Sequence, residues 1–227
     1  MRTFRGLGRP VDLALLPRVN VGMVRSRYAL VADRRGSVDV LDLDAGIVVR
    51  RVAVAGASSL AVAAPYAWVA SAGRRTLTQL GLDSPRDAHV VARVNVGIVP
   101  AALAPDPGGI AIDVVSRGGE LVRVEAVSLA RSRPGDLGGR VTQLLTGYQG
   151  LLWAAKADGR VLGVRARDGK VLRVMHVPAG SRLAIVFGWL AAAHGRTLLM
   201  LPLGTPEPGT AIPLPAVSGA FAFASVA

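Results

Sequence analysis

The sequence repeats itself at intervals of about 40 residues, and this repetition constrains the fold more than any other feature. The segment Arg-Val-Asn-Val-Gly at positions 18–22 recurs unchanged at positions 93–97, and apolar residues follow both copies. Looser copies of the same segment end at Gly56 and Gly180. A chain with such internal copies is built from one structural unit used several times.

A second pattern marks each unit. A short apolar run leads into a polar turn that carries glycine and a basic residue, and another apolar run follows. The units begin near residues 28, 66, 110, 151 and 189, which lie 38, 44, 41 and 38 residues apart. This spacing is close to the roughly 40–45 residues of a four-stranded β-propeller blade. We call the polar turns of these five units the signature turns.

The pattern predicts an all-β chain in which residues 1–227 form a single small β-propeller of five four-stranded blades. A sixth blade is the alternative, closed by the N-terminal 27 residues and an apolar strand at 220–226. The short interval between Gly22 and Tyr28 favours five blades, with the C-terminal strand filling a vacant position in the first. A β-sandwich and a buried helix over residues 183–193 fit the fixed period less well.

Two stretches carry a resemblance to a known repeat. Leu-Leu-Trp-Ala-Ala-Lys-Ala-Asp-Gly-Arg-Val-Leu-Gly-Val at 151–164, followed by Arg-Asp-Gly-Lys-Val-Leu-Arg-Val at 167–174, resembles the YVTN-type β-propeller repeat, a WD-like repeat. Residues 28–56 are similar to it as well, with Val-Asp-Val-Leu-Asp at 38–42 in the position of the third strand. The resemblance implies a propeller and brings no catalytic residue, because the repeat is shared by many unrelated activities.

The positive charge recurs at one place in the repeat. The chain has 27 basic and 15 acidic residues, a formal net charge of +12. The signature turns share one end of a propeller, so their cations would converge there and attract anions. The predicted anion-binding face consists of Arg34, Arg35, Arg74, Arg75, Arg117, Lys156, Arg160 and Arg196.

A compositional bias toward arginine is the competing explanation of these turns, since Lys156 and Lys170 are the only lysines. We expect the partner to be a protein or an anionic ligand. Nucleic acid is a weaker candidate because only 4% of the residues are aromatic, and single strands need aromatic platforms. The aromatic residues that begin signature strands, Tyr28, Tyr66 and Trp189, are assigned to the core.

Sites for chemistry are sparse. The chain has no cysteine, which excludes thiolate metal sites and cysteine catalysis, and no metal or cofactor motif occurs. His194 lies in a signature turn, while Asp33, Asp113 and Asp158 lie near turns, where aspartate is common. We therefore expect a non-catalytic binding or scaffold module that needs no cofactor. The alternatives are a hydrolase or lyase with its site at the central opening, and a divergent propeller whose missing blade comes from another chain.

The mean hydropathy of +0.43 raises the question of a membrane segment. A spanning helix needs about 20 consecutive apolar residues, and the longest candidate, at 183–193, is far shorter. The N-terminal apolar stretch is interrupted by Asp12 and ends at Pro17, too short for an export signal. The sequence thus predicts a monomer without a membrane span, and the cytoplasm is the favoured compartment.

Overall fold

The structure, a computed structural model, describes residues 7–16, 27–106, 108–147, 150–204 and 209–213. These residues form five sheets, each of four antiparallel strands in sequence order, arranged as the blades of a propeller. No α-helix occurs among the described residues, and the one helical turn there is a 3₁₀ turn at Pro85–Asp87. The predicted all-β propeller with five four-stranded blades is confirmed.

Each blade runs from an inner strand beside the propeller axis to an outer strand at the rim. The first three blades are β1 (Pro10–Leu15), β2 (Tyr28–Asp33), β3 (Ser37–Asp42), β4 (Ile47–Ala53); β5 (Ala57–Ala63), β6 (Tyr66–Ser71), β7 (Thr76–Gly81), β8 (His89–Asn95); and β9 (Pro100–Pro105), β10 (Ala111–Ser116), β11 (Glu120–Glu125), β12 (Arg131–Asp136). The last two are β13 (Val141–Thr146), β14 (Leu151–Lys156), β15 (Arg160–Arg165), β16 (Lys170–His176); and β17 (Arg182–Val186), β18 (Trp189–His194), β19 (Thr197–Pro202), β20 (Thr210–Pro213).

The signature turns join the second and third strands of every blade. Each second strand begins within one residue of the position where the sequence pattern places a unit. Glycine is needed in these turns because their backbone adopts positive φ, which side chains disfavour. Gly159 shows the tightest case, with φ of +89° and with the carbonyl oxygen of Val177 only 2.3 Å from where a Cβ would lie. The spacing of these turns therefore follows from the blade geometry.

The core lies between neighbouring blades. Leu30 packs between the first and second blades, Trp68 between the second and third, and Trp153 between the fourth and fifth. Both faces of a middle strand are covered, which is why β2, β6, β10 and β14 are apolar almost throughout instead of alternating with polar residues. Burial of this kind accounts for the Val, Ala and Leu content of the chain.

Two predictions about particular segments were wrong. The inner position of the first blade is held by β1, so that position is not left vacant for a C-terminal strand. Residues 183–193, for which strands were favoured over a buried helix, lie in the hairpin of β17 and β18. Trp189 is 39% exposed, whereas Tyr28 and Tyr66 pack against core clusters as expected. The proposed strand at 220–226 and the repeat copy at 18–22 lie outside the described residues.

No helix in the described part of the chain is long and apolar enough to cross a membrane.

Candidate functional site

The antiparallel order of the strands brings two kinds of loop to the same end of the propeller. The first and third strands of a blade run away from this end and the second and fourth run toward it. The signature turns and the connections between blades therefore lie together there. We call this end the turn face; its connections are 54–56, 96–99, 137–140 and 177–181.

The predicted cations do not form one uniform group. Six of them are exposed in signature turns: Arg34, Arg35, Arg74, Arg75, Arg117 and Arg196. Lys156 is buried, and its ammonium group donates hydrogen bonds to the carbonyl oxygens of Leu137, at 3.1 Å, and Gly138. Arg160 forms an exposed ion pair with Asp158 at 2.7 Å. These two cations therefore have structural partners, and six remain for a ligand.

A cleft of about 840 Å³ opens on the turn face across the second, third and fourth blades. Arg75 and Arg117 line it from two signature turns, and Arg140 lines it from the connection between the third and fourth blades. All three are exposed, and none forms a salt bridge within the described residues. Glu120 also lines the cleft, but its carboxylate is engaged by Arg133 at 3.0 Å. We call this feature the arginine cleft.

Arg140 was missed by the sequence pattern because it lies in a connection between blades and not in a signature turn. The signal that could have found it is the strand order, since both kinds of loop must share one end of an antiparallel blade. The interruption Gly-Gly-Arg at 138–140, directly before an apolar strand, marks that connection in the sequence.

Acidic side chains on the turn face are already engaged. The amides of Arg35, Arg9 and Gly8 donate to the carboxylate of Asp33 and hold its pKa below the usual value. The hydrogen bond from Arg160 likewise lowers the pKa of Asp158. Most other acids lie at the opposite end, several of them paired with arginine there: Asp42, Asp44, Asp83, Asp87, Asp106, Glu125 and Asp168. The turn face is consequently the positive end of the molecule.

A second cavity, of about 320 Å³, follows the propeller axis and is lined by the inner strands of all five blades. Asp12 lies in it and accepts hydrogen bonds from the amides of Leu60, at 2.7 Å, and Leu13, at 2.9 Å. Burial raises the pKa of the Asp12 carboxyl, although these amides, Ser59 and the charge of Arg182 oppose the shift. The axial cavity is thus polar, with one partly buried carboxylate beside a cation.

A cluster of ionisable groups, with the buried Asp113 at its centre, lies between the third and fourth blades. The guanidinium of Arg123 contacts Asp106 at 2.7 Å, Asp113 at 3.4 Å and Glu125 at 3.5 Å. Asp113 was expected near a turn, but it lies in the middle of β10 and is fully buried, so turn geometry does not account for it. Its Oδ1 atom has no hydrogen-bond partner within the described part of the chain. Burial raises the pKa of Asp113 to about 7, against the opposing charge of Arg123.

His194 lies at the end of β18 and is exposed. It lines neither the axial cavity nor the arginine cleft. The described residues contain no group of three histidine, aspartate or glutamate side chains placed to hold a metal ion. Among the described residues, His194 is therefore not placed at the central opening where the alternative prediction put a catalytic site.

Comparison with known proteins bears on the fold. No protein-family model matches the sequence, and no curated protein matches it. The fold is similar to that of a chain of Kuenenia stuttgartiensis hydrazine synthase. The two chains are 16% identical, with a TM-score of 0.66, over 93% of this chain and 63% of the other. This protein thus spans less than two thirds of that chain, and the likeness concerns the fold alone. Membership of the YVTN-type repeat family stays a prediction.

Proposed function

We propose that residues 1–227 act as one propeller domain, a non-catalytic binding module that contacts an anionic ligand or an anionic partner surface at the turn face. The arginine cleft carries this proposal. Two of its arginines, Arg75 and Arg117, come from the signature turns of the second and third blades, and Arg140 comes from the connection to the fourth blade. All three line one cavity without a salt bridge among the described residues. Other exposed arginines without a salt bridge in the described residues, such as Arg86 and Arg93, lie outside this cavity. The convergence of three such arginines on one concave place is what a composition bias alone does not explain.

The residue type indicates the ligand chemistry. The guanidinium group presents its donors in a planar fork that matches the oxygens of phosphate, sulfate or carboxylate. Three such groups in a cleft focus the positive potential more than the same charges would on a convex surface. The cleft spans three blades, so an extended polyanion can contact all three arginines at once. We therefore infer a phosphate- or sulfate-bearing chain as the ligand class.

The test compares two triple variants with equal loss of charge. Arg75→Ala/Arg117→Ala/Arg140→Ala removes the cleft cations. The control, Arg86→Ala/Arg93→Ala/Arg167→Ala, removes exposed arginines outside both cavities. At about 1 kcal/mol for each exposed guanidinium contact, the cleft variant should bind tripolyphosphate and heparin oligosaccharide on the order of 100-fold more weakly.

Titration calorimetry at fixed salt measures the affinities, because such binding is strongly salt-dependent. We expect the control variant to lose less than threefold. Equal losses in the two variants would mean that net charge alone attracts the probes, and the proposal would then be wrong.

A further inference from the structure

The inner strands place five residues at one level around the axis. Four of them are Asp12, Ser59, Ala102 and Gln143. Each occupies the same position in its inner strand, because each pairs with the corresponding residue of the second strand in its own blade. Arg182 takes the same level in the fifth blade, one residue before Leu183. In every blade the next residue is a leucine: Leu13, Leu60, Leu103, Leu144 and Leu183. We call these five positions the axial ring.

At two steps around the ring, a side chain bonds to the next blade. Asp12 accepts the amide hydrogen of Leu60, in the second blade, at 2.7 Å. Gln143 accepts the amide hydrogen of Leu183, in the fifth blade, at 3.1 Å. The donors are available because an inner strand is a sheet edge, where alternate amides point away from the sheet. The ring side chain thus serves as the acceptor for the following leucine.

At the two steps between these, the acceptor is missing. In the third blade, the amide of Asp106 donates to the carbonyl oxygen of Ala111 in the second strand. Because successive amides of a strand point to opposite sides, the amide of Leu103, three residues earlier, points toward the axis. The bond from Gly147 to Leu151 does the same for the amide of Leu144. Ser59 and Ala102 hold the ring positions before them, and no acceptor in the described part of the chain reaches either amide. Two N–H groups of adjacent blades therefore face the axial cavity without a protein partner.

The groups around these amides determine what would satisfy them. Arg182 lies at the same level, exposed and without a salt bridge in the described residues. The Nε2 of Gln143 likewise donates to no acceptor among those residues. Asp12 cannot take the two amides, because its oxygens already accept from Leu60 and Leu13. The cavity therefore holds more hydrogen-bond donors than acceptors, together with one cation. A ligand with a single carboxylate matches both the donors and the charge. A second carboxylate would meet the negative charge of Asp12.

We propose that the axial cavity binds a small organic monocarboxylate, whose oxygens accept the amide hydrogens of Leu103 and Leu144 and whose charge pairs with Arg182. The volume of about 320 Å³ is at the lower end of ligand pockets, which span roughly 300–1,000 Å³. The carbonyl groups of the same leucines face the axis with their amides, so a hydroxyl on the ligand also finds an acceptor. This site adjoins the arginine cleft, since Ser58, Ala101 and Thr142 line both cavities, but none of the three cleft arginines lines the axial cavity. The proposal therefore does not depend on the function proposed for the cleft.

The experiment titrates the ¹⁵N-labelled protein with L-lactate and, as the uncharged match, L-lactamide. Lactate should shift the amide resonances of Leu103 and Leu144 in a saturable manner, and lactamide should not. Ala102→Asn places at the third blade an acceptor like Asp12, which would take the Leu144 amide and occupy the cavity. We expect this variant, and Arg182→Gln, to raise the Kd for lactate at least tenfold. The control Arg167→Ala removes an exposed cation outside the cavity and should leave the Kd unchanged.

Several results would overturn the proposal: no saturable shift at either leucine with lactate, an equal response to lactamide, or an unchanged Kd in Arg182→Gln. If Ala102→Asn fails to fold, the wild-type shifts and Arg182→Gln still decide. The cleft variant Arg75→Ala/Arg117→Ala/Arg140→Ala separates the two sites. This cleft variant should retain the lactate-induced shifts of Leu103 and Leu144 whether or not it loses polyanion binding. If the variant lost those shifts, lactate would bind in the cleft and not at the axial ring.

Discussion

Replacement of Asp113 by asparagine should change how the stability of the protein depends on pH. Asp113 is completely buried between the third and fourth blades, and its charged neighbours are Arg123, Asp106 and Glu125. Burial is the largest cause of its raised pKa, and the two nearby carboxylates add to it. The folded protein therefore holds a proton on Asp113 at a pH where the unfolded chain has already released it. Asp113→Asn keeps the shape of the side chain and removes this titration.

The sign and the size of the effect follow from the two pKa values. Below the unfolded value of 3.8 both states are protonated, and Asp113 adds no pH dependence. Between 3.8 and about 7 only the unfolded state is ionised, so the free energy of unfolding falls as the pH rises. Each pH unit well inside this interval costs about 1.4 kcal/mol, and because Asp113 is half ionised at pH 7 the total between pH 5 and pH 7 is roughly 2 kcal/mol. Well above pH 7 both states are ionised and the loss is constant.

Urea unfolding at pH 5, 6, 7 and 8 measures the difference between the variant and the wild type. Any cost of an unsatisfied amide in Asp113→Asn is the same at every pH, so the growth of the difference isolates the titration. Relative to the wild type, we expect the free energy of unfolding of the variant to rise by about 2 kcal/mol from pH 5 to pH 7, and to change little further at pH 8. Asp158→Asn serves as the control, because the pKa of Asp158 is lowered and it stays ionised throughout this range. Parallel pH profiles for Asp113→Asn and the wild type would refute the reasoning.

Three other substitutions test the blade geometry by urea unfolding at pH 7. Gly159→Ala should lower the free energy of unfolding by more than about 2 kcal/mol, because its Cβ would clash with a carbonyl oxygen. Gly73→Ala has open space at the Cβ and should lower it by only about 1 kcal/mol. Equal losses in the two variants would contradict this reasoning. Lys156→Met should destabilise the fold by roughly 1–3 kcal/mol, since two carbonyl groups lose their charged donor. A gain in stability would show instead that burying the ammonium group costs more than its two hydrogen bonds contribute. Gln143→Ala should cost about 1 kcal/mol through the lost bond to the fifth blade, and it fails if stability is unchanged.

The sequence predicted the blades well because their geometry imposes local residue choices. A middle strand that is covered on both faces must be apolar, and the turn after it needs glycine, so Tyr28, Tyr66 and Leu151 could be placed directly. The first inner strand was not recognised. Pro10–Leu15 is only partly buried, contains Asp12, and is separated from β2 by residues that resemble another unit. Edge strands carry a weaker pattern than central ones.

The sites were less predictable, because the sequence gives a residue's place in the chain but not its partner. Lys156 and Arg117 both border signature turns, yet the first bonds to two carbonyl groups and the second lines a cleft. That difference comes from the connection at 137–140, which passes over Lys156 and brings Arg140 to the cleft. Contacts of this kind join different blades, and no local pattern reports them.

The equivalent positions of the blades offer another way to recognise sites in such a chain. One position in the second strand holds Leu30, Trp68, Asp113, Trp153 and Ala191. Four of these residues are apolar, as a space between two blades requires, so the aspartate cannot be explained by the fold. The axial ring shows the converse case, in which Asp12 and Gln143 supply an acceptor and Ala102 does not. A blade that departs from its neighbours at an equivalent position leaves a charge or a backbone amide unbalanced, and such an imbalance is what a ligand or a proton can correct. In a repeat protein, the differences between the units are therefore better guides to function than the repeat itself.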